Sequence, residues 1–551
     1  MWWEVVLSLV SIVVVAASTD TTVWTSGGRI RGTVEISHGK AVASYLGIPY
    51  AKPPVGPLRF RPPQPAAPWQ GVLDTKKFGA ACSQANGSFP SSIPWLVDKR
   101  TVSEDCLFLN IWVPRTPDKE KAILMWIHGG GFRTGTPANE LYDAKLLAAV
   151  GDIVVVSMSY RLGSLGFLYT GEDSSPGNYG LLDQELAIHW VRDNAEVFGA
   201  DASSITLYGE SAGAAAAGLH LLATRNAGIV RRAIMASWSP YGLPPQNEVG
   251  RELATKLAKA VGCEVVGGDW VRVVSCLRAA PIEDILKAED TVYGNALLTF
   301  TPSFGDSYLT QQFQHSIRDG NLIPIDALLT GVNNHEGSVF LYIKDPKRFN
   351  ANSEPEGLTF SEAFAFLSHN FIAGLPTALQ SAVRANFQAS VQDTEGILES
   401  LIDAVGDFIF TCPTRFFAEA YAKLNYPVYF YVFDHRSEKS SWPPWMGTAH
   451  FDELQYTFGM PFRFPERYTD LDREQSMLIM NLFTQFVRTG RPILPDGSSW
   501  PTYTKEEAHH VRLHAGNTSI GAAFHENRCH LVRAAYSSLG FIKPLQARTD
   551  L

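Results

Sequence analysis

The sequence predicts an α/β protein with a large, mostly parallel central sheet flanked by helices. Three observations carry that prediction. Short, nearly unbroken apolar runs alternate with longer stretches at helical spacing. One run leads into a serine set between glycines, in "LYGESAGAAAAG" (207–218), and another opens into three consecutive glycines, in "WIHGGGF" (126–132).

The elements follow in chain order. "VVLSLVSIVVVAAS" (5–18) is a short apolar run ending in small residues, with Ala16 and Ser18 as the small pair before a cut. It predicts a signal peptide over 1–18. The leading "MWWE" offers no Lys or Arg, so a retained anchor is the alternative. No later stretch reaches the ~20 uninterrupted apolar residues of a membrane span, so no stable membrane insertion is expected. "AKPPVGPLRFRPPQPAAPW" (51–69) is proline-rich but punctuated by aromatic and arginine residues, and reads as an ordered, extended surface segment. "CLFLNIWVP" (106–114), "AILMWIHG" (122–129) and "DIVVVSMSYRL" (152–162) read as strands covered on both faces. "LLDQELAIHWVRDNAEVFG" (181–199) reads as a helix with Leu182, Leu186 and Trp190 on one face. "SSITLYG" (203–209) is the next strand, and "VYFYVFDH" (428–435) a late one. With 551 residues, length alone points to two or more domains.

Gly209-Glu210-Ser211-Ala212-Gly213 is a G-x-S-x-G. By itself the pattern is weak. Here it follows a strand and precedes an alanine-rich helix, the setting in which a serine sits on a strained turn above a sheet. A serine hydroxyl needs a base, usually histidine, and a third group to orient that base. In this architecture the chain order is serine, acid, histidine. Among 14 histidines, His450 in "WMGTAHFDELQYTFG" (445–459) follows small residues and precedes a carboxylate-rich helix start. His435 in "FDHRS" is its rival, beside Asp434 and Arg436 as a salt-bridged structural histidine would be. Glu336 in "LLTGVNNHEGSVFL" (328–341) is the acid, on a loop after a strand-like run; Asp306, Asp403 and Asp407 remain open. The run at Gly129–Gly131 presents bare backbone N–H groups and lacks the Lys-Ser/Thr of a phosphate loop. Gly130, Gly131 and Ala212 are therefore expected to form an oxyanion hole.

Net charge is −9, which argues against nucleic acid as a partner. Six cysteines and the sequons at Asn86 and Asn517 fit export. The cysteine spacings resemble no zinc pattern, and no metal or organic cofactor is needed for serine chemistry.

Together these residues resemble the type-B carboxylesterase and cholinesterase family of α/β-hydrolases. The resemblance runs over nearly the whole chain after residue ~20 and rests on "YLGIPYAKPPVGPLRF", "SEDCLFLNIWVP", "WIHGGGF", "GNYGLLDQELAIHWVRDNAEVFGAD", "SITLYGESAGA" and "GVNNHEGSVF". It implies a triad falling on Ser211, Glu336 and His450. It also implies one α/β-hydrolase domain over 19–551, which overrides the count suggested by length. Disulfides Cys82–Cys106, Cys263–Cys276 and Cys412–Cys529 are implied, with Arg59–Glu104 and Arg161–Asp183 as structural salt bridges.

Cholinesterases are the nearest flavour, through "FDHRSEKSSWPPWMGTAH" (433–450) and Glu210 before the serine. Trp95 falls near the place of the family's quaternary-ammonium-binding indole, one residue off its spacing to Cys106; Phe340 is a retained aromatic. Departures point elsewhere. Arg133 after "GGGF" is expected to repel a cationic substrate. Val339 stands where some members have an aromatic ring. Ala296, Leu297 and Leu298 make an aliphatic acyl pocket suited to groups longer than acetyl. The expected function is a secreted serine esterase of broad range acting on small-molecule esters. The alternatives are choline ester hydrolysis, a lipase, or a non-catalytic adhesion member. A homodimer is compatible with all of these. The terminal "RTDL" vaguely resembles an ER-retention signal, so the ER lumen is the alternative to secretion.

Overall fold

Eleven strands, the central ones mostly apolar, assemble into one mixed sheet in the computed structural model, which describes residues 20–84, 101–244, 246–294, 296–350, 353–393 and 396–540. The predicted signal peptide, Asn86, Trp95 and the "RTDL" end lie outside the described residues. The strands are β1 (Thr33–Ser37), β2 (Lys40–Pro49), β3 (Phe108–Pro114), β4 (Lys121–Ile127), β5 (Val154–Met158), β6 (Ala200–Glu210), β7 (Val230–Ala236), β8 (Ala327–Asn333), β9 (Val428–Phe433), β10 (His509–Leu513) and β11 (Ser519–Ala522). Their spatial order is β11-β10-β9-β8-β7-β6-β4-β5-β3-β2-β1. The run from β5 across to β10 is parallel throughout. The margins are antiparallel: β1, β2 and β3 on one side, β11 on the other. The expected parallel sheet is thus the middle of a mixed one.

The apolar runs have a simple physical reason. Along β4, Ile123, Met125 and Ile127 enter the hydrophobic cluster on one face, while Ala122, Leu124 and Trp126 enter the cluster on the other. Side chains alternate across a strand, so a strand covered on both sides must be apolar at every position. β1 and β2, by contrast, form a hairpin. Its turn residues His38 and Gly39 both have positive φ, 46° and 72°, as a two-residue turn matched to strand twist requires.

The helices that matter here are α1 (Tyr179–Asn194), α2 (Ala212–His220), α3 (Ile282–Tyr293), α4 (Ser338–Lys344), α5 (Ile397–Gly406), α6 (Glu453–Thr457), α7 (Asp470–Thr489) and α8 (Glu526–Ser538). The predicted helix over 181–199 is α1 plus one short 3-10 turn at Glu196–Phe198. Its burial differs from expectation. Leu182, Leu186 and Trp190 are only half-buried, and the buried set includes Leu181, Asp183, Gln184, Ala187 and Ile188. Asp183 is buried because it holds Arg161, with Nη2 2.7 Å from Oδ1 and Nε 2.8 Å from Oδ2. Removing one partner of such a buried pair typically costs ~3–5 kcal/mol. Arg59 pairs with Glu104 at 2.6 Å and also donates to the carbonyls of Leu277, Arg278 and Ala280. It thereby ties the proline-rich segment to a helix end. Disulfides join Cys82 to Cys106, Cys263 to Cys276 and Cys412 to Cys529. Among the described residues, no helix is long and apolar enough to cross a membrane.

Candidate active site

Strand β6 ends at Glu210 and α2 begins at Ala212, so Ser211 is the whole turn between them. It has φ 55° and ψ −124°, a region that a residue with a Cβ rarely occupies. Its N–H donates to the Ala236 carbonyl of β7 at 2.9 Å, which fixes the turn to the sheet. The flanking glycines are sterically required. A methyl on Gly209 would run into the backbone of Gly213, and one on Gly213 into the Ile127 carbonyl at the end of β4.

Two further strand ends bring the partners. Glu336 lies just past β8, and His450 on the loop before α6. His450 Nδ1 is 2.6 Å from Glu336 Oε2. The other oxygen, Oε1, accepts the Asn333 N–H at 2.7 Å. The Asn333 side chain donates to the Ala449 carbonyl and to Glu453 Oε2, both at 2.7 Å, and so joins the loop of the acid to the loop of the histidine. The imidazole is held by rings: Phe410 stacks on it at 4.1 Å, and Phe340 meets it edge-on at 5.4 Å. Phe410 belongs to a π-helical turn, Asp407–Thr411, that continues α5. Such turns recur at functional sites because they displace side chains from the regular helical rows.

The remaining face of the imidazole meets a second acid. His450 Nε2 is 3.1 Å from Glu210 Oε1, and no hydrogen bond joins it to Ser211 Oγ among the described residues. Burial pushes the Glu210 carboxyl well above the ordinary range, reinforced by Glu453 and Glu336. Burial and the Glu336 charge likewise push Glu453 up to about 8. Burial thus disfavours the charged form of both Glu210 and Glu453 beside the Glu336–His450 contact.

Beside the serine, Gly130 and Gly131 leave β4 with φ 104° and 63°. The loop is braced by Gln84, which accepts the Gly135 N–H at 2.8 Å and donates to the Gly135 carbonyl at 2.9 Å. The N–H groups of Gly130, Gly131 and Ala212 make no hydrogen bond among the described residues. A Cβ at Gly131 would lie 3.7 Å from Leu298 Cδ2 and 3.9 Å from the Leu297 carbonyl, so these residues border the glycine loop.

The rival residues are engaged elsewhere. His435 Nε2 is 2.8 Å from Asp472 of α7, while its neighbour Asp434 pairs with Arg512. Asp403 pairs with Arg528, Asp407 with His525, and Asp306 accepts from Asn178. Arg133 departs from expectation. Its guanidinium is 2.7 Å from Asp290 and lies over the Tyr293 ring at 4.0 Å, both on α3, so its charge is compensated. Asn517 is exposed in the turn before β11. The sequence reading missed Asn333 and Phe410. The Asn333 N–H reaches Glu336 locally, but its side chain bonds residues 116 and 120 positions on, and Phe410 acts by stacking on His450, so neither side chain has a local signal.

An eleven-stranded mixed sheet with a serine elbow at one strand end defines an α/β-hydrolase. The profile of the carboxylesterase family matches residues 19–532, and the chain belongs to that family. It is similar to acetylcholinesterase-1 of Trittame loki, with 36% identity over 92% of this chain and 93% of the relative. It is similar to the cholinesterase of Mus musculus, with 34% identity over 97% of this chain and 89% of the relative. The acetylcholinesterase of Bungarus fasciatus is 36% identical over 93% and 86%. The chain is a carboxylic ester hydrolase.

Proposed function

We propose that this esterase works through Ser211, His450 and Glu336 and an acyl-enzyme intermediate. The observation that carries the reading is the 2.6 Å contact between His450 and Glu336 beside a serine on a strained elbow. Ser211 Oγ attacks the ester carbonyl while His450 Nε2 takes its proton. Glu336 holds the proton on Nδ1 and balances the imidazolium. The oxyanion rests on the N–H groups of Gly130, Gly131 and Ala212. His450 then protonates the departing alcohol. Water cleaves the acyl-enzyme by the same route and restores Ser211. The Ser211–His450 hydrogen bond forms as substrate arrives and displaces the contact with Glu210; such bonds are often unmade in empty sites.

Leu297 and Leu298 line the acyl side and Phe340 walls the imidazole, favouring neutral esters with acyl groups longer than acetyl. Choline ester hydrolysis is the second reading. It is favoured by the names of the relatives, by Glu210 beside the serine and by the compensated charge of Arg133. Trp95 would then contact the ammonium. The chain is read as one domain over 19–551, exported behind a signal peptide and active as a monomer or homodimer; three disulfides and the exposed sequon at Asn517 support export.

The test is hydrolysis of p-nitrophenyl butyrate by secreted protein and by Ser211→Ala. The variant is expected to lose turnover and keep secretion; retained turnover refutes the assignment. Butyrylthiocholine against a neutral ester of equal acyl length separates the two substrate readings.

A further inference from the structure

His335 stands between the acid and base loops, and no step above uses it. Its backbone N–H donates to the Thr448 carbonyl at 3.1 Å. In return the Thr448 N–H donates to His335 Nδ1 at 3.1 Å, with Thr448 Oγ1 3.0 Å from the same nitrogen. His335 also bridges to Ala449 in parallel register. The imidazole occupies the space above Gly447 (φ 58°), where a methyl would run into the ring. On the far side, Nε2 is 3.2 Å from Glu399 Oε1 of α5. One residue after His335 comes Glu336; two residues after Thr448 comes His450.

We propose that His335 is a positioning residue for ester hydrolysis, a latch that holds the loop of His450 to the loop of Glu336 and opens when its ring takes a second proton. The proposal rests on the reading of Ser211, His450 and Glu336 as the triad. A backbone N–H can only donate, so Thr448 requires a bare Nδ1, and the single ring proton sits on Nε2 facing Glu399. A second proton would land on Nδ1 and set N–H against N–H at the joint between the two loops. The hydrogen bond between His450 and Glu336 spans that same joint, so slack there reaches the triad directly. An error of about 1 Å in such a contact costs on the order of 100-fold in rate.

The surroundings set the pH at which the latch opens. Glu399 and Asp403 face the ring from α5, and Asp434 from the end of β9. Arg528 of α8 and His525 just before it lie beyond Glu399, and Arg512 pairs with Asp434. Burial pulls the ring toward neutrality. The Glu399 hydrogen bond and the charges of Glu399, Asp403 and Asp434 favour the imidazolium, against burial and against the N–H that Thr448 presents to Nδ1. The latch is closed at high pH and opens as pH falls.

The experiment measures kcat and KM for p-nitrophenyl butyrate from pH 5 to 9 in the secreted enzyme, His335→Ala, His335→Asn and Glu399→Gln, with Ser211→Ala and Glu336→Gln alongside. His335→Ala is expected to lose about tenfold or more in kcat, with KM within about twofold. His335→Asn offers an Oδ1 acceptor that does not titrate. It should recover kcat to within about threefold of wild type and lose the part of the acid-side fall that belongs to His335, while the part set by the general base remains. Glu399→Gln should move the His335 inflection to lower pH, since the charge favouring the imidazolium is gone. Wild-type kcat in His335→Ala, equal loss in the Ala and Asn variants, or an unmoved inflection in Glu399→Gln overturns the latch. If His335→Ala is not secreted, the Asn and Gln pH profiles decide alone. Retained turnover in Ser211→Ala, or kcat within about tenfold of wild type in Glu336→Gln, instead overturns the triad reading, whatever the His335 variants do.

Discussion

Replacing Glu336 by glutamine changes one atom and should nearly silence the enzyme. Glu336 accepts one N–H on each oxygen: Asn333 on Oε1 at 2.7 Å and His450 Nδ1 on Oε2 at 2.6 Å. Glutamine has a single carbonyl oxygen to meet both donors. If that oxygen takes the backbone N–H of Asn333, the NH2 group meets His450 Nδ1 and drives the ring proton to Nε2. The imidazole then cannot accept the Ser211 proton. If the amide flips, the buried Asn333 N–H faces another donor, at a cost of ~1–3 kcal/mol. The imidazolium loses its counter-charge either way. A wrong-tautomer triad loses about 10⁴-fold in kcat, equivalent to about 5 kcal/mol of barrier. The assay is p-nitrophenyl butyrate hydrolysis, with circular dichroism to verify folding. A folded variant whose kcat is within about tenfold of wild type would refute the role of Glu336.

Three further outcomes follow from the same geometry. Leu298→Phe places a ring beside Gly131, and the ratio of butyryl to acetyl ester kcat/KM should fall by about tenfold or more; an unchanged ratio removes Leu298 from the acyl pocket. Cys412 and Cys529 are 117 positions apart and Cys263 and Cys276 only 13. Loop-closure entropy then makes the double serine variant of the first pair lose about 5 kcal/mol against about 3 for the second, read as the order of thermal inactivation midpoints. Glu453 has a folded-state pKa raised to about 8, so its burial is tolerated fully below the unfolded carboxyl value and costs stability as pH rises toward 8. Glu453→Gln should therefore be closer to wild type in midpoint at pH 5 than at pH 8, where it gains on the order of a few kcal/mol relative to wild type. A difference that does not change with pH contradicts the raised pKa.

What the sequence made legible was whatever has a local cause. β4, β5 and β9 are apolar at nearly every position because both their faces are covered, and the elbow needs glycines at 209 and 213 because two backbones pass there. Glu336 and His450 could be picked from loop chemistry and chain order. The contacts that decide the site were less legible. Glu210 stands beside the serine in the sequence, but that it faces His450 Nε2 depends on how the histidine loop crosses the sheet. The partner of His435 is Asp472, 37 residues on, and not the adjacent Asp434. Helix α1 defeated an amphipathic reading because the Arg161–Asp183 pair is buried in the face that spacing had left polar. The charge of Arg133 was plain in the sequence; its neutralisation by Asp290, 157 residues later, was not.

The most direct test is peptide mass mapping after stoichiometric inactivation of the intact protein with a diethyl-phosphorylating organophosphate. One adduct is expected, on Ser211, formed with loss of all esterase activity and sharply slowed in His450→Ala and Glu336→Gln. An adduct on any other residue, or full inactivation with Ser211 unmodified, would contradict Ser211 as the nucleophile.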